Sequence, residues 1–198
     1  MRQKPKKHIC HVCHDEEEKG CCSDEIFATV HDILRIAKKT GCDIDTIAKF
    51  KKPKKDLYEL WSDNEDLKGF MIDKKLLIIP GKDGECKFLG ENGCEIFDFR
   101  PGVCRMFPFW FDEDKNGNIS IRIDLSESYE DDWCLICKHN FYEKDLTRAL
   151  EDAGETEKSL TDFAKKYKKE LDLYKKYNKD LLKGMKPSEI VVKYKIRV

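Results

Sequence analysis

The stretch CKFLGENGCEIFDFRPGVCRMFPFWF, residues 86–111, decides the fold of this chain. Three cysteines, Cys86, Cys94 and Cys104, lie in it among turn-forming glycines, an Arg-Pro step and a run of aromatic residues. Seven further cysteines flank it on both sides of the sequence. The first question is therefore whether these thiols bind a metal, form disulfides or pack in a core.

The composition indicates that the cysteines are not needed for stability alone. With 198 residues, the chain is long enough to bury a hydrophobic core without cross-links. Its ten cysteines exceed the number typical of an intracellular protein but fall short of a disulfide-rich miniature scaffold. The basic N-terminal residues lack the features of a secretion signal, and no apolar run approaches the roughly 20 residues of a membrane span. A cytoplasmic protein is expected, in which spaced cysteines are more often metal ligands than disulfides.

The charge content leaves the disulfide alternative open. Charged residues make up 39% of the chain, which is typical of thermophilic proteins, and the cytosol of hyperthermophiles tolerates disulfides.

The charge is also unevenly distributed along the chain. Residues 155–198 contain 13 Lys and Arg against seven Asp and Glu, so a basic tail of net charge +6 follows an acidic body.

The spacing of the cysteines favours metal binding. Two C-x2-C pairs, Cys10 with Cys13 and Cys134 with Cys137, can each bring two thiolates to one ion. Nine cysteines are candidate metal ligands: Cys10, Cys13, Cys21, Cys22, Cys86, Cys94, Cys104, Cys134 and Cys137. Nine exceed the four of a structural zinc site, which favours a multinuclear centre or two separate sites. Thiolates suit both zinc and iron–sulfur clusters, so the cofactor stays open between them.

Other residues near these cysteines have two interpretations each. His8, His11 and His14 could add nitrogen ligands or face solvent. The tenth cysteine, Cys42, follows Gly41 at a predicted helix end and is expected to pack rather than to bind metal.

One firm helix is predicted before the opening stretch. Thr29 and Asp32 have capping-box spacing, and Gly41 is a typical stop signal. Four apolar residues between them fall on one face: Val30, Ile33, Leu34 and Ala37. A short strand is expected at residues 25–29, and a second helix from residue 45 to about 52.

The later segments alternate between short strands and long helices. Residues 69–80 predict two strands and residues 81–84 a turn. A strand at residues 119–123 follows an Asn-Gly turn signal and is expected to pair with Trp110 and Phe111.

Helices are predicted at residues 141–153 and 156–183, the second with an apolar stripe at Leu160, Ala164, Tyr167, Leu171, Tyr174, Asn178 and Leu181. The fold class is therefore α+β. Residues 1–140 form a small, loop-rich, metal-stapled domain, and residues 141–198 form a basic amphipathic helical extension.

Several motifs resemble those of a known family. They are Cys10-x2-Cys13, the adjacent Cys21 and Cys22, the helix start at residues 29–33, the Gly-Cys-Glu-Ile-Phe segment at Cys94, and Arg-Pro-x2-Cys-Arg-x-Phe-Pro around Cys104. This pattern resembles the CxxCxxCC family of zinc- or iron-chelating domains, the YkgJ-like cysteine cluster proteins. The resemblance covers roughly residues 10–137 and implies a cysteine cluster that binds iron–sulfur or zinc. The chain has seven residues between Cys13 and Cys21, where the family usually has two.

Residues beside Cys104 could support such a cluster. Arg100 and Arg105 could stabilise thiolates, bind an anionic substrate, or form ion pairs with Glu95 or Asp98. The aromatic run Phe107, Phe109, Trp110 and Phe111 is expected to form a buried wall that limits solvent access to the metal.

Three functions are compatible with the sequence. The favoured one is an iron–sulfur protein that acts in electron transfer or in redox-linked modification of a protein partner. The second is a zinc-stabilised interaction module whose basic helix docks a partner; nucleic acid is not favoured, because a lysine-covered helix is more often a solvated face. The third, by analogy with the related motif of flagellin lysine N-methylases, is methylation of lysine from S-adenosylmethionine. No radical-enzyme C-x3-C-x2-C spacing, P-loop or G-x-G-x-x-G turn is present, so it is not known whether the chain is an enzyme.

Overall fold

The computed structural model describes residues 22, 25–63, 67, 69–82, 85–91, 93–123, 136 and 145–198. Its helices and small antiparallel sheets make an α+β fold with a helical C-terminal region, which confirms the predicted fold class. The chain divides into two compact units. The first unit includes Phe88–Glu95 and the described parts of Met106–Lys165, and the second includes the described parts of Asp24–Lys87 together with Ile96–Arg105 and Lys166–Val198.

A three-stranded antiparallel sheet forms the centre of the second unit. Its strands are β1 (Ile26–Phe27), β2 (Lys49–Lys51) and β3 (Leu76–Ile79), in the order β1-β3-β2. All four side chains of β3 are at most 1% exposed. A continuous run of branched apolar residues is typical of a strand covered on both faces, which explains why β3 occupies the middle position.

Helix α1 (Val30–Thr40) begins and ends as the sequence predicts. Thr29 is the N-cap and forms a reciprocal capping box with Asp32, and Gly41 ends the helix in the left-handed conformation at φ 74°. Val30 and Ile33 of the predicted apolar face are fully buried, whereas Leu34 and Ala37 of that face are only half-buried. Ile36, which was not predicted, is fully buried on the inner face. The cap and the apolar residues explain why this helix could be predicted from its own stretch of sequence.

The predicted second helix, from residue 45 to about 52, is wrong in its second half. Helix α2 (Ile44–Ile47) is four residues long and is followed by strand β2. Phe50 of β2 is opposite Leu77 of β3, so pairing with the buried central strand overrides the local helical preference. Helix α3 (Lys55–Asp63) follows, and the sequence analysis did not predict it.

The two strands predicted at residues 69–80 are replaced by one strand and a turn. Only β3 forms a ladder there, while Ile72 and Lys75 make an isolated bridge next to residues with positive φ, Asp73 and Lys74. The turn predicted at residues 81–84 begins as strand β4 (Gly81–Lys82), which pairs with β5 (Glu85–Cys86); residues 83 and 84 lie outside the described part of the chain.

The C-terminal helices of the second unit cover its sheet and α1. Helix α6 (Glu157–Leu182) buries all seven residues of the predicted stripe, and α7 (Pro187–Tyr194) follows it. The Tyr174 hydroxyl accepts a hydrogen bond from the Leu77 amide at 3.1 Å, and the Tyr177 hydroxyl accepts one from the Val30 amide at 2.7 Å. These bonds join the part of α6 in this unit to β3 and to the first turn of α1.

The described part of the first unit contains two hairpins, a short helix and the beginning of α6, up to Lys165. The hairpins are β6 (Leu89–Gly90) with β7 (Gly93–Cys94) and β8 (Phe109–Glu113) with β9 (Ile119–Ile123). The second hairpin confirms the predicted pairing, since Phe111 is opposite Ile121.

Helix α5 (Leu146–Asp152) is capped by Asp145 and is therefore shorter than predicted, and residues 141–144 lie outside the described range. None of the described helices is long and apolar enough to cross a membrane.

Candidate metal centre

Four of the nine candidate ligands lie in the described part of the chain. They are Cys22, Cys86, Cys94 and Cys104, and each is half-buried. The other five, Cys10, Cys13, Cys21, Cys134 and Cys137, lie outside it, as do His8, His11 and His14. No described cysteine belongs to the fully buried core.

Cys86 and Cys94 each occupy a two-stranded hairpin. In the second unit, Cys86 of β5 is opposite Gly81 of β4. In the first unit, Cys94 of β7 is opposite Leu89 of β6, and the Glu95 amide donates to the Phe88 carbonyl at 3.0 Å. Hairpins this short contain little apolar burial of their own, so another interaction has to contribute to their stability.

Cys86 is followed by a partly buried lysine. The Lys87 ammonium donates to the carbonyl oxygens of Thr46 at 3.3 Å and Ile47 at 2.8 Å. Burial lowers the pKa of Lys87, and the nearby thiols of Cys42 and Cys86 oppose that change. The expectation that Cys42 packs in the interior is wrong, because this residue is exposed just beyond the end of α1.

Cys104 lies on helix α4 (Gly102–Met106), directly after the 3-10 helix Phe97–Phe99. Pro101 and Gly102 are buried at the start of α4, and the Arg105 amide donates to the Pro101 carbonyl at 3.1 Å. The Gly102 amide, which has no partner within the helix, donates to Asp32 Oδ1 at 2.9 Å.

Asp32 joins the start of helix α1 to the segment that leads to Cys104. Its carboxylate is completely buried; Oδ2 accepts from the Thr29 amide at 2.8 Å and from the Thr29 hydroxyl at 3.0 Å, while Oδ1 accepts from Gly102 and from the Arg35 guanidinium. The sequence identified Asp32 only as a helix-capping residue. The structure adds a second role, since its carboxylate anchors the segment that leads to Cys104.

Glu170 on α6 is a functional candidate that the sequence analysis missed. Its Oε1 is 3.7 Å from Arg35 Nη1, and its Oε2 is buried without a hydrogen-bond partner in the described part of the chain. The pKa of Glu170 is raised to about 7, first by burial and then by the charge of Asp32, while Arg35 opposes the rise. A single Glu within a Lys-rich helix gives no sequence signal of this environment.

Arg100 forms none of the ion pairs considered from the sequence. Its guanidinium lies 4.0 Å over the Phe97 ring and makes one long contact, 3.5 Å, with the Phe97 carbonyl. Its Nε is buried and without a hydrogen-bond partner, and no described carboxylate, including Glu95 and Asp98, pairs with it. A half-buried cation thus lies four residues before Cys104 without a counter-ion among the described residues.

The aromatic run is only partly a buried wall. Phe109 is 2% exposed, whereas Phe107, Trp110 and Phe111 are half-buried. Trp110 and Phe111 stack with ring centroids 5.2 Å apart. The prediction of a buried wall is therefore confirmed for Phe109 alone.

The described side chains do not complete a metal site by themselves. They contain no group of three or more His, Cys, Asp or Glu residues placed to hold an ion. The residue types nevertheless fit a thiophilic metal, because each unit contains two half-buried thiols, the donors that such a metal prefers, and further cysteines lie outside the described range.

One comparison with known proteins gives a match. The family model CxxCxxCC, described as "Putative zinc- or iron-chelating domain", matches residues 9–140. No curated protein matches the chain, and no solved structure does.

Proposed function

The chain belongs to the CxxCxxCC family of zinc- or iron-chelating domains, and on this premise we propose that its cysteines hold an iron–sulfur cluster. The cluster would serve electron transfer or redox-linked modification of a protein partner. The cytosol is the compartment proposed for this activity, because cysteine thiols of proteins stay reduced there.

The observation that carries the proposal is the placement of the described thiols. Cys22, Cys86, Cys94 and Cys104 are half-buried, outside the apolar core. Partial burial shields a thiolate from bulk water while leaving the sulfur able to reach a ligand. Because nine candidate thiols exceed the four of one zinc site, a multinuclear centre uses more of them than a single zinc ion would.

The charge on Arg100 supports an anionic centre nearby. A half-buried guanidinium is costly to desolvate unless an anion compensates it, and no described carboxylate does so. A cluster with several thiolate ligands carries net negative charge and would supply that compensation. Arg105, on the next turn, is the second cation that we assign to this role.

Anaerobic purification followed by metal analysis tests the proposal directly. The expected protein is brown, absorbs in the visible range and contains iron together with acid-labile sulfide. A colourless protein that is fully loaded with zinc after anaerobic preparation would contradict the iron–sulfur assignment and support the zinc alternative.

Two single-cysteine variants provide the matched comparison. Cys104→Ser removes a candidate ligand and is expected to lower the metal content. Cys42→Ser removes an exposed thiol outside the candidate set and is expected to leave the metal content unchanged. Equal metal content in the two variants would remove Cys104 from the ligand set.

A zinc-stabilised interaction module is the second candidate, favoured by the outer face of α6. Five lysines on that face have no carboxylate partner among the residues that the structure describes: Lys165, Lys166, Lys169, Lys176 and Lys179. A zinc-loaded chain that binds an acidic protein partner, with an affinity that falls steeply as salt is added, would favour this function. Binding that does not respond to salt would count against the lysine face.

A further inference from the structure

We infer that Asp32 and Tyr167 are positioning residues for Cys104, and that they hold Gly102 between them as a clamp. The inference rests on the proposed function, in which Cys104 is a metal ligand. It extends the metal site to helix α6, because Tyr167 lies beyond the matched residues 9–140.

The first half of this Gly102 clamp is electrostatic. Asp32 Oδ1 accepts the Gly102 amide at 2.9 Å, and both residues are buried. Hydrogen bonds from Thr29 and Arg35 fix the orientation of the carboxylate, so it cannot turn away without breaking several buried contacts. The start of α4 is thereby fixed to the first turn of α1.

The second half of the clamp is steric. A Cβ atom added at Gly102 would lie 2.2 Å from Cε2 and 2.7 Å from Cζ of Tyr167, so the ring edge packs directly on the glycine backbone. Tyr167 is 1% exposed and its ring has no room to retreat. Only glycine fits at this position, and the ring prevents the chain from moving away from Asp32.

The clamp acts on Cys104 through helix α4, which contains both Gly102 and Cys104. Cys104 is two residues beyond Gly102 within α4. Burial raises the pKa of Tyr167, and among the further causes the charge of Cys104 raises it as well, which places this thiol within electrostatic reach of the tyrosine. Displacing Gly102 therefore displaces the thiol.

The test measures the alkylation rate of each cysteine in the reduced, metal-free full-length chain by peptide mass spectrometry. The variant Gly102→Ala is expected to raise the Cys104 rate about tenfold, because the added methyl overpacks against the ring. In the double variant Gly102→Ala with Tyr167→Leu, the smaller side chain leaves room for the methyl and the rate is expected to fall back toward that of the wild type.

Two controls separate the clamp from a general loss of stability. Gly184→Ala strains a left-handed glycine, φ 94°, that has no atom within 4 Å of the added methyl, so it is expected to leave the Cys104 rate unchanged. The exposed Cys42 reports reagent reactivity in every sample. A Cys104 rate unaffected by Gly102→Ala, or a double variant no slower than the single one, would overturn the inference.

A second measurement applies if Gly102→Ala does not fold. Tyr167→Leu alone leaves a void beside Gly102, so hydrogen exchange of the Gly102 amide is expected to become faster. The control is the Gly41 amide, which donates to the Ala37 carbonyl and should exchange at an unchanged rate. Equal Gly102 exchange in wild type and variant refutes the clamp. A wild-type chain that takes up neither Zn²⁺ nor iron overturns the proposed function instead, whatever the alkylation rates.

Discussion

Replacing Glu170 with glutamine should stabilise the protein at neutral and alkaline pH and have little effect at acidic pH. The Glu170 side chain is 20% exposed, faces Asp32 and Arg35, and keeps one buried oxygen without a hydrogen-bond partner. Burial is the main cause that raises its pKa from 4.5 to about 7. The variant Glu170→Gln has nearly the shape of the protonated acid and cannot ionise.

The direction of the pH dependence follows from proton linkage. Between pH 4.5 and about 7, Glu170 holds its proton in the folded chain and releases it in the unfolded chain. The folded state therefore binds more protons, and the free energy of unfolding falls as the pH rises through this interval. At about 1.4 kcal/mol per pH unit, the loss is complete above pH 7 and amounts to at most about 3 kcal/mol.

Urea unfolding at pH 5, 6, 7 and 8, on samples of equal metal content, measures this quantity. The unfolding free energy of the Glu170→Gln variant minus that of the wild type should be below about 1 kcal/mol at pH 5 and grow to as much as about 3 kcal/mol at pH 8. Glu151→Gln, at an exposed carboxylate on α5, is the control and should show no such growth. A difference for Glu170→Gln that is constant from pH 5 to pH 8 would refute the reasoning.

Two further changes test how the C-terminal helices of the second unit are fixed to it. Tyr174→Phe leaves the buried Leu77 amide without its acceptor and should cost about 1–2 kcal/mol of unfolding free energy, measured by urea denaturation. Asp45→Ala removes the acceptor of the Ser188 amide at 2.9 Å and hydroxyl at 2.7 Å, at the start of α7. A cost of about 1 kcal/mol is expected, whereas an unchanged midpoint would show that these bonds are replaced by water.

The parts of the fold that were predicted are those with complete local signals. Helix α1 has its cap at Thr29, its apolar face and its stop at Gly41 within one stretch of sequence. The buried stripe of α6 repeats over seven positions, so its period is unambiguous. The hairpin of β8 and β9 has an Asn-Gly turn between two strand-forming runs.

The errors arose where distant residues decide the conformation. The residues from 49 to 51 were read as helix because their local pattern allows it, but Phe50 pairs with Leu77, a partner that the sequence does not identify. Cys42 was expected to pack because cysteine is often buried, yet it follows the left-handed Gly41, which turns the chain outward. The division of the chain at residue 140 stays a prediction.

The candidate ligands followed from spacing, but the residues that support them did not. Capping explains Asp32 within its own helix, and nothing in the sequence links it to an amide 70 residues away. From the sequence, Gly102 has the features of an ordinary turn residue. The structure shows that it has to be glycine, because the Tyr167 ring packs against it. When a local role such as helix capping already explains a residue, the sequence gives no reason to expect a second role, and only the folded structure identifies it.

Two of the half-buried arginines of the second unit, Arg35 and Arg100, show how charge compensation points to a ligand. Arg35 pairs with Asp32 and Glu170, so its desolvation is offset within the protein. Arg100 is similarly half-buried, but it has only the face of Phe97 and one carbonyl. Since the same unit supplies carboxylates to one guanidinium and none to the other, the anion that balances Arg100 has to come from elsewhere. Under the proposed function, thiolates bound to a metal near Cys104 would provide it, which is why we propose that Arg100 belongs to the metal centre.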